Sequence, residues 1–215
     1  MKTALTILAF LGISVLVSSY NINRESSADF KSVKIGKQEW MTENLNTVNF
    51  RNGDPIPEAK TNEEWLKAYS DSKPAWCYYN ADPENGKKYG KLYNWYAVND
   101  TRGIAPTGWH VPSNDEWTQL ADYLGGYDSA GSKMKSNTGW EKGNNGNNSS
   151  GFSGLPGGFR RPNGTPMSIG QYGYWWSSSA YGAANAWDRV LYYNNTEIRS
   201  NHHRATGCSV RCVKD

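Results

Sequence analysis

Pro112-Ser113-Asn114-Asp115-Glu116-Trp117-Thr118-Gln119-Leu120-Ala121-Asp122-Tyr123-Leu124-Gly125-Gly126 is the best-defined element of this 215-residue chain. Ser113 with Glu116 three residues on forms a capping box. Trp117, Leu120, Ala121 and Leu124 then recur at i, i+3, i+4 and i+7, and Gly125-Gly126 supplies a stop. The segment predicts an amphipathic helix with one apolar face laid on a sheet.

The sheet has to come from the flanks. Beyond Gly151 the chain turns aromatic, and residues 172–178, 186–193, 196–201 and 208–213 read as strands. Asn194-Asn195 suits a tight turn, because Asn tolerates positive φ. Around Val190 apolar residues fall on both faces, Trp187 and Leu191 against Val190 and Tyr192, so that strand is expected at the centre of its sheet. Upstream, residues 30–35 alternate, Gly36-Lys37 breaks the run, and residues 38–41 resume it as a hairpin. Residues 44–57 form a loop. A short helix starts near Thr61 or Asn62 and turns Trp65, Leu66 and Tyr69 inward. Residues 143–150 are Gly, Asn and Ser alone, a flexible loop with nothing to bury. The predicted class is α+β, with short antiparallel sheets and one or two packed helices in one domain, residues 30–215.

The N-terminus points to export. Lys2 precedes an uncharged apolar run over residues 4–17, and Val17-Ser18-Ser19 offers a cleavage point before Tyr20. The run falls short of the about 20 residues that span a bilayer. Residues 1–19 are therefore expected to be a signal peptide, and polar residues 20–29 a flexible arm. The mature chain is expected to carry no transmembrane segment, in a periplasmic, cell-surface or secreted location. Ten Trp and fourteen Tyr against five Phe suit surfaces half buried and half wet. A formal charge of +3 gives no electrostatic case for nucleic acid. Cys208 and Cys212 lie four strand residues apart, roughly 13 Å. That is too far for a disulfide, so any bridge must join Cys77 to one of them.

Several phrases name a family. In chain order they run through Ile35-Gly36-Lys37-Gln38-Glu39-Trp40-Met41-Thr42-Glu43-Asn44-Leu45, Ala75-Trp76-Cys77-Tyr78-Tyr79-Asn80 and Tyr89-Gly90-Lys91-Leu92-Tyr93-Asn94-Trp95-Tyr96. Gly108-Trp109-His110-Val111-Pro112-Ser113, Gly151-Phe152-Ser153-Gly154-Leu155-Pro156-Gly157-Gly158-Phe159-Arg160, Tyr174-Trp175-Trp176-Ser177-Ser178 and Ser209-Val210-Arg211-Cys212-Val213 follow. Together they resemble the Fibrobacter succinogenes major paralogous domain. The resemblance implies a C-type-lectin-like fold on an exported protein and a layout similar to formylglycine-generating, sulfatase-modifying proteins. It also implies a Cys77–Cys212 disulfide with Cys208 free, because the family phrases match Cys77 and Cys212 but not Cys208.

The paired copper-binding cysteines of the formylglycine-generating proteins have no match, since residues 160–207 contain no cysteine. No catalytic residue or metal site is expected, and no cofactor. Calcium lacks its ligand phrases: the nearest strings, Arg161-Pro162-Asn163 and Val98-Asn99-Asp100, do not match those of calcium-dependent lectins. What the chain offers is a stretch from Tyr181 to Arg204 dense in Tyr, Trp, Asn, Ser and His, the chemistry of adaptable binding surfaces. Tyr181, Asn185, Trp187, Tyr193, Asn194, Asn201, His202 and His203 are expected on or beside one exposed face that binds an unidentified glycan or protein. The polar segment 201–204 is expected to face solvent. The alternatives are a structural surface module without a specific ligand and a divergent enzyme of the formylglycine-generating type.

Overall fold

The structure, a computed structural model, describes residues 30–195, 198–199 and 202–215. The expected signal peptide (1–19), the arm (20–29) and Asn201 lie outside the described residues. The first half contains β1 (Ser32–Ile35), β2 (Gln38–Met41), α1 (Asn62–Ser70), β3 (Trp76–Cys77), α2 (Pro83–Tyr89), β4 (Leu92–Tyr93) and α3 (Trp95–Val98). Then come β5 (Trp109–His110), α4 (Asn114–Tyr123), α5 (Ala130–Met134), β6 (Phe159–Arg160) and β7 (Pro166–Met167). The chain closes with β8 (Tyr172–Tyr181), β9 (Asn185–Tyr192), β10 (Ile198–Arg199), β11 (His202–His203) and β12 (Val213–Lys214). The class is α+β, with short antiparallel sheets and five α-helices among the described residues. No described helix is long and apolar enough to cross a membrane.

The β1–β2 hairpin turns at Gly36, whose φ of +62° suits a residue without Cβ. The chain's end returns to it: β12 pairs Val213 with Trp40 of β2 and with His110 of β5, giving the order β1-β2-β12-β5. The second sheet is built on β9, with β8 on one side and β10 and β11 on the other. Its central position follows from burial on both faces. Tyr174, Trp176, Ala186 and Val190 enter one apolar cluster with Met41, Trp95 and Val210. Trp175 and Leu191 enter another with Trp40, Trp117 and Phe152.

Helix α4 forms as its sequence dictates. Both halves of the Ser113–Glu116 capping box are made, and Trp117, Leu120 and Ala121 are buried. Helix α1 starts at the cap Thr61, but only Trp65 points fully inward; Leu66 is 45% exposed and Tyr69 half-buried. A helix that touches the core along one narrow stripe cannot bury two neighbouring residues equally. Buried indoles do more than fill space. Those of Trp65, Trp76, Trp95 and Trp176 donate to the carbonyls of Ala205, Ile56, Ser177 and Tyr93 at 2.8–3.1 Å.

Cys77, Cys208 and Cys212 are all free and buried in this structure, where the resemblance implied a Cys77–Cys212 bridge. The thiols serve as small apolar groups in separate places: Cys77 lies in the cluster with Trp65 and Leu92, and Cys212 in the one with Trp176 and Val210. Loop 143–150 is tied down. Asn145 Oδ1 accepts the Trp140 amide, Asn147 N–H donates to the Ser132 carbonyl, and Asn148 is bonded to Ser153.

The centre is fastened by Arg211, 1% exposed. Its Nε and Nη2 donate to Asn44 Oδ1 at 3.0 and 2.6 Å, and its Nη1 donates to the Met41 and Phe152 carbonyls. Asn44 Oδ1 also accepts the Trp175 indole at 2.8 Å. Asn44→Ala strands three buried donors, so denaturant unfolding should show a loss of about 3 kcal/mol or more. A thiol reagent should label none of the three cysteines in the native domain and all three after unfolding, with or without prior reduction.

Candidate functional site

The β8–β9 hairpin ends at Tyr181, which pairs with Asn185 across the turn 182–184. On the other edge of β9, His203 pairs with Asn185 and His202 with Ala186. Arg204 fixes this corner. Its backbone N–H donates to the Ala184 carbonyl, its guanidinium donates to the Gly182 and Asn185 carbonyls, and its plane lies 4.4 Å from the Trp95 ring centroid. Against the corner, the end of α1 and α3 leave an open cleft of about 340 Å³, lined by Tyr69, Ser70, Ser72, Tyr96, Ala183, Ala184 and His203. Beside it Tyr181, 45% exposed, meets Trp187 edge to face with ring centroids 4.5 Å apart.

His203 has a defined tautomer. Its Nδ1 accepts the Ala205 N–H at 3.2 Å, so Nε2 carries the hydrogen and points to the Tyr69 hydroxyl at 3.4 Å. The two rings meet at 5.0 Å. Successive strand residues face opposite ways, and His202 therefore turns inward. Its Nδ1 lies 2.6 Å from Oδ2 of Asp188, whose side chain is wholly buried. The other Asp188 oxygen has no hydrogen-bond partner among the described residues. The His202 ring stands perpendicular to Tyr174 at 5.0 Å and lies 5.9 Å from Phe159. Burial disfavours the imidazolium, yet the Asp188 carboxylate outweighs it and raises the His202 pKa. Burial likewise raises Asp188, against the pull of His202.

The expected single face is thus divided. Tyr181, Asn185, Trp187 and His203 gather at one end of β9. Tyr193 and Asn194 lie at the other, seven strand steps or roughly 23 Å away. There Lys135, itself buried, donates to the Tyr192, Tyr193 and Asn195 carbonyls and holds the turn from beneath. His202 keeps about a third of its side chain exposed while its Nδ1 reaches down to Asp188, so it is an anchor under the cleft wall as well as part of the surface. The signal for it was Asp188-Arg189 inside a strand buried on both faces, since buried charges require partners. Tyr69, Ser70, Ser72 and Tyr96 were missed because they reach the cleft from α1, the turn after it and α3, far back in the sequence. A second cavity, about 180 Å³, is lined by Arg160, whose guanidinium is spent on the Ala59, Thr61 and Gly164 carbonyls and Asn62 Oδ1. Among the described residues no group of three His, Cys, Asp or Glu is placed to hold a metal ion.

The profile of the Fibrobacter succinogenes major domain matches residues 33–214, from β1 to the end of β12. The chain belongs to this family. No curated protein and no solved structure matches it. In this Fibrobacter succinogenes major domain the two neighbouring histidines should respond differently to truncation. His202→Ala leaves Asp188 buried and unpaired, an expected loss of about 3 kcal/mol. His203→Ala removes a half-exposed ring and should cost under about 1 kcal/mol in the same urea titration.

Proposed function

We propose that this Fibrobacter succinogenes major domain is an exported binding module of C-type-lectin-like architecture whose cleft takes an uncharged, hydroxyl-rich glycan. The carrying observation is the cleft's chemistry. Its lining holds hydroxyls from Tyr69, Ser70, Ser72 and Tyr96 and the His203 imidazole, with no Asp, Glu, Lys or Arg among the described residues. Such a surface exchanges hydrogen bonds with neutral hydroxyls and offers no counter-charge to an acidic or basic ligand. Tyr181 and Trp187 beside it add rigid apolar area at low entropic cost. An open cleft of this size accommodates a few sugar rings and suits a flat protein partner less well. The apolar run at residues 4–17 supports export.

The test is an array of neutral and anionic oligosaccharides and of proteins, probed with the purified chain. Capture is expected on neutral glycans and should survive EDTA. Tyr181→Ala combined with His203→Ala should weaken it by about tenfold or more, equivalent to 1.4 kcal/mol, with an unfolding midpoint close to that of the parent. Retention of only anionic glycans or proteins, or undiminished capture by the folded double variant, would overturn the assignment.

A further inference from the structure

We infer that the Asp188–His202 pair makes this cleft pH-sensitive, firm at mildly acidic pH and loosened as His202 loses its proton. The inference rests on the cleft being the binding site and adds its regulation. The geometry comes from a two-residue strand. In β11, His202 points down to Asp188 while His203 points out to line the cleft. The 182–184 turn continues the same wall, and Arg204 ties it from behind through the Gly182 and Ala184 carbonyls. One contact beneath the sheet therefore holds the side chain above it. Asp188 is a positioning residue, since it touches the cleft only through His202.

The charge balance explains the direction. With His202 protonated, the buried carboxylate faces a cation at 2.6 Å. With His202 neutral, Nδ1–H still donates, but a full negative charge stays in the interior with one oxygen bare. Arg189 lowers the Asp188 pKa through space but makes no hydrogen bond to its carboxylate. Arg189 leaves β9 on the opposite face, toward Asn114 and Tyr127. The Arg204 guanidinium is engaged with the Gly182 and Asn185 carbonyls, and His203 with Tyr69 and Ala205. From β8 Tyr174, and from the C-terminal segment Cys208, face the pair. Burial pushes both well above their ordinary ranges, so both stay neutral where His202 titrates. Phe159 of β6 carries no charge. Because the folded state raises the His202 pKa, the pair's contribution is complete below the ordinary imidazole value of 6.5. It fades as pH rises through the folded value.

The experiment needs no ligand. Imidazole NMR titration of the full chain should place His202 above 6.5, and Asp188→Asn should lower it. Hydrogen-exchange protection of the Arg204 and Thr206 amides, which donate to the Ala184 and His203 carbonyls, should fall by about fivefold or more between pH 6 and pH 8.5. Protection in α4, which reports global opening, provides the reference. His202→Gln should flatten that difference. Where it fails to fold, the Asp188→Asn titration decides. His202 titrating at or below 6.5, an unchanged His202 titration in Asp188→Asn, or equal protection at both pH values would overturn the switch. Loss of protection at high pH in a chain that captures no glycan upholds the switch and sinks only the binding assignment. Glycan capture with constant protection does the reverse.

Discussion

The guanidinium of Arg211 is the constraint on which this fold depends. It is a buried cation, and its pKa is lowered by burial. Its donors are met by Asn44 Oδ1 and by the carbonyls of Met41 and Phe152, and it lies 4.5 Å from the Phe152 ring centroid. Those partners stand 59 to 170 residues away in sequence. A buried charge left half-satisfied is costly, so the β1–β2 hairpin, the loop at Phe152 and the C-terminal segment become stable only together. Backbone bonds on either side, Met41 N–H to the Cys212 carbonyl and Leu45 N–H to the Val210 carbonyl, are made in the same step.

The same device recurs wherever irregular chain is buried. Lys91 donates to Asn46 and lies 4.7 Å from the Trp76 centroid. Lys135 gathers four carbonyls near Trp140, and Arg160 gathers three beside Trp65. Strands of two residues and long loops leave many carbonyls that no ladder can satisfy. A long cationic side chain with several donors closes a handful of them at once, and an aromatic face receives its charge. Arg204 at the cleft belongs to this set. Asp188 is the exception, the one acid among the described buried residues, and carbonyls are no help to an acid. Its dependence on His202 follows from that sign.

Legibility in the sequence tracked the length of each pattern. Helix α4 was readable because Trp117, Leu120, Ala121 and Leu124 sample two full turns beneath a complete capping box. The β1–β2 hairpin and the central place of β9 were readable from alternation and from apolar residues on both faces. Helices α2, α3 and α5, of four to seven residues, were not, so one or two helices were expected where the described residues hold five. A helix that short shows no period; α2 and α3 are held by the Asp82 and Asn94 caps, α3 and α5 by tertiary burial. Loop 143–150 misled for the opposite reason. Asn and Ser signalled flexibility by composition, while their side chains supply the bonds that order it.

For the site, composition located the region and geometry divided it. Tyr181, Asn185, Trp187 and His203 meet at one corner because hairpin register and the β9–β11 pairing bring them there. Tyr193 and Asn194 share their chemistry but sit a strand length away. His202 and His203 are adjacent, and one step along a strand is half a turn about its axis. Both rings are partly exposed, but one reaches a buried carboxylate among aromatic rings and the other stands beside a tyrosine at the cleft. Removing both at once would merge a loss of folding with a loss of contact, and a failed binding assay on such a variant would say nothing about the surface. Any account of this cleft must therefore treat His203 as part of what meets the ligand and His202 as part of what keeps His203 in place.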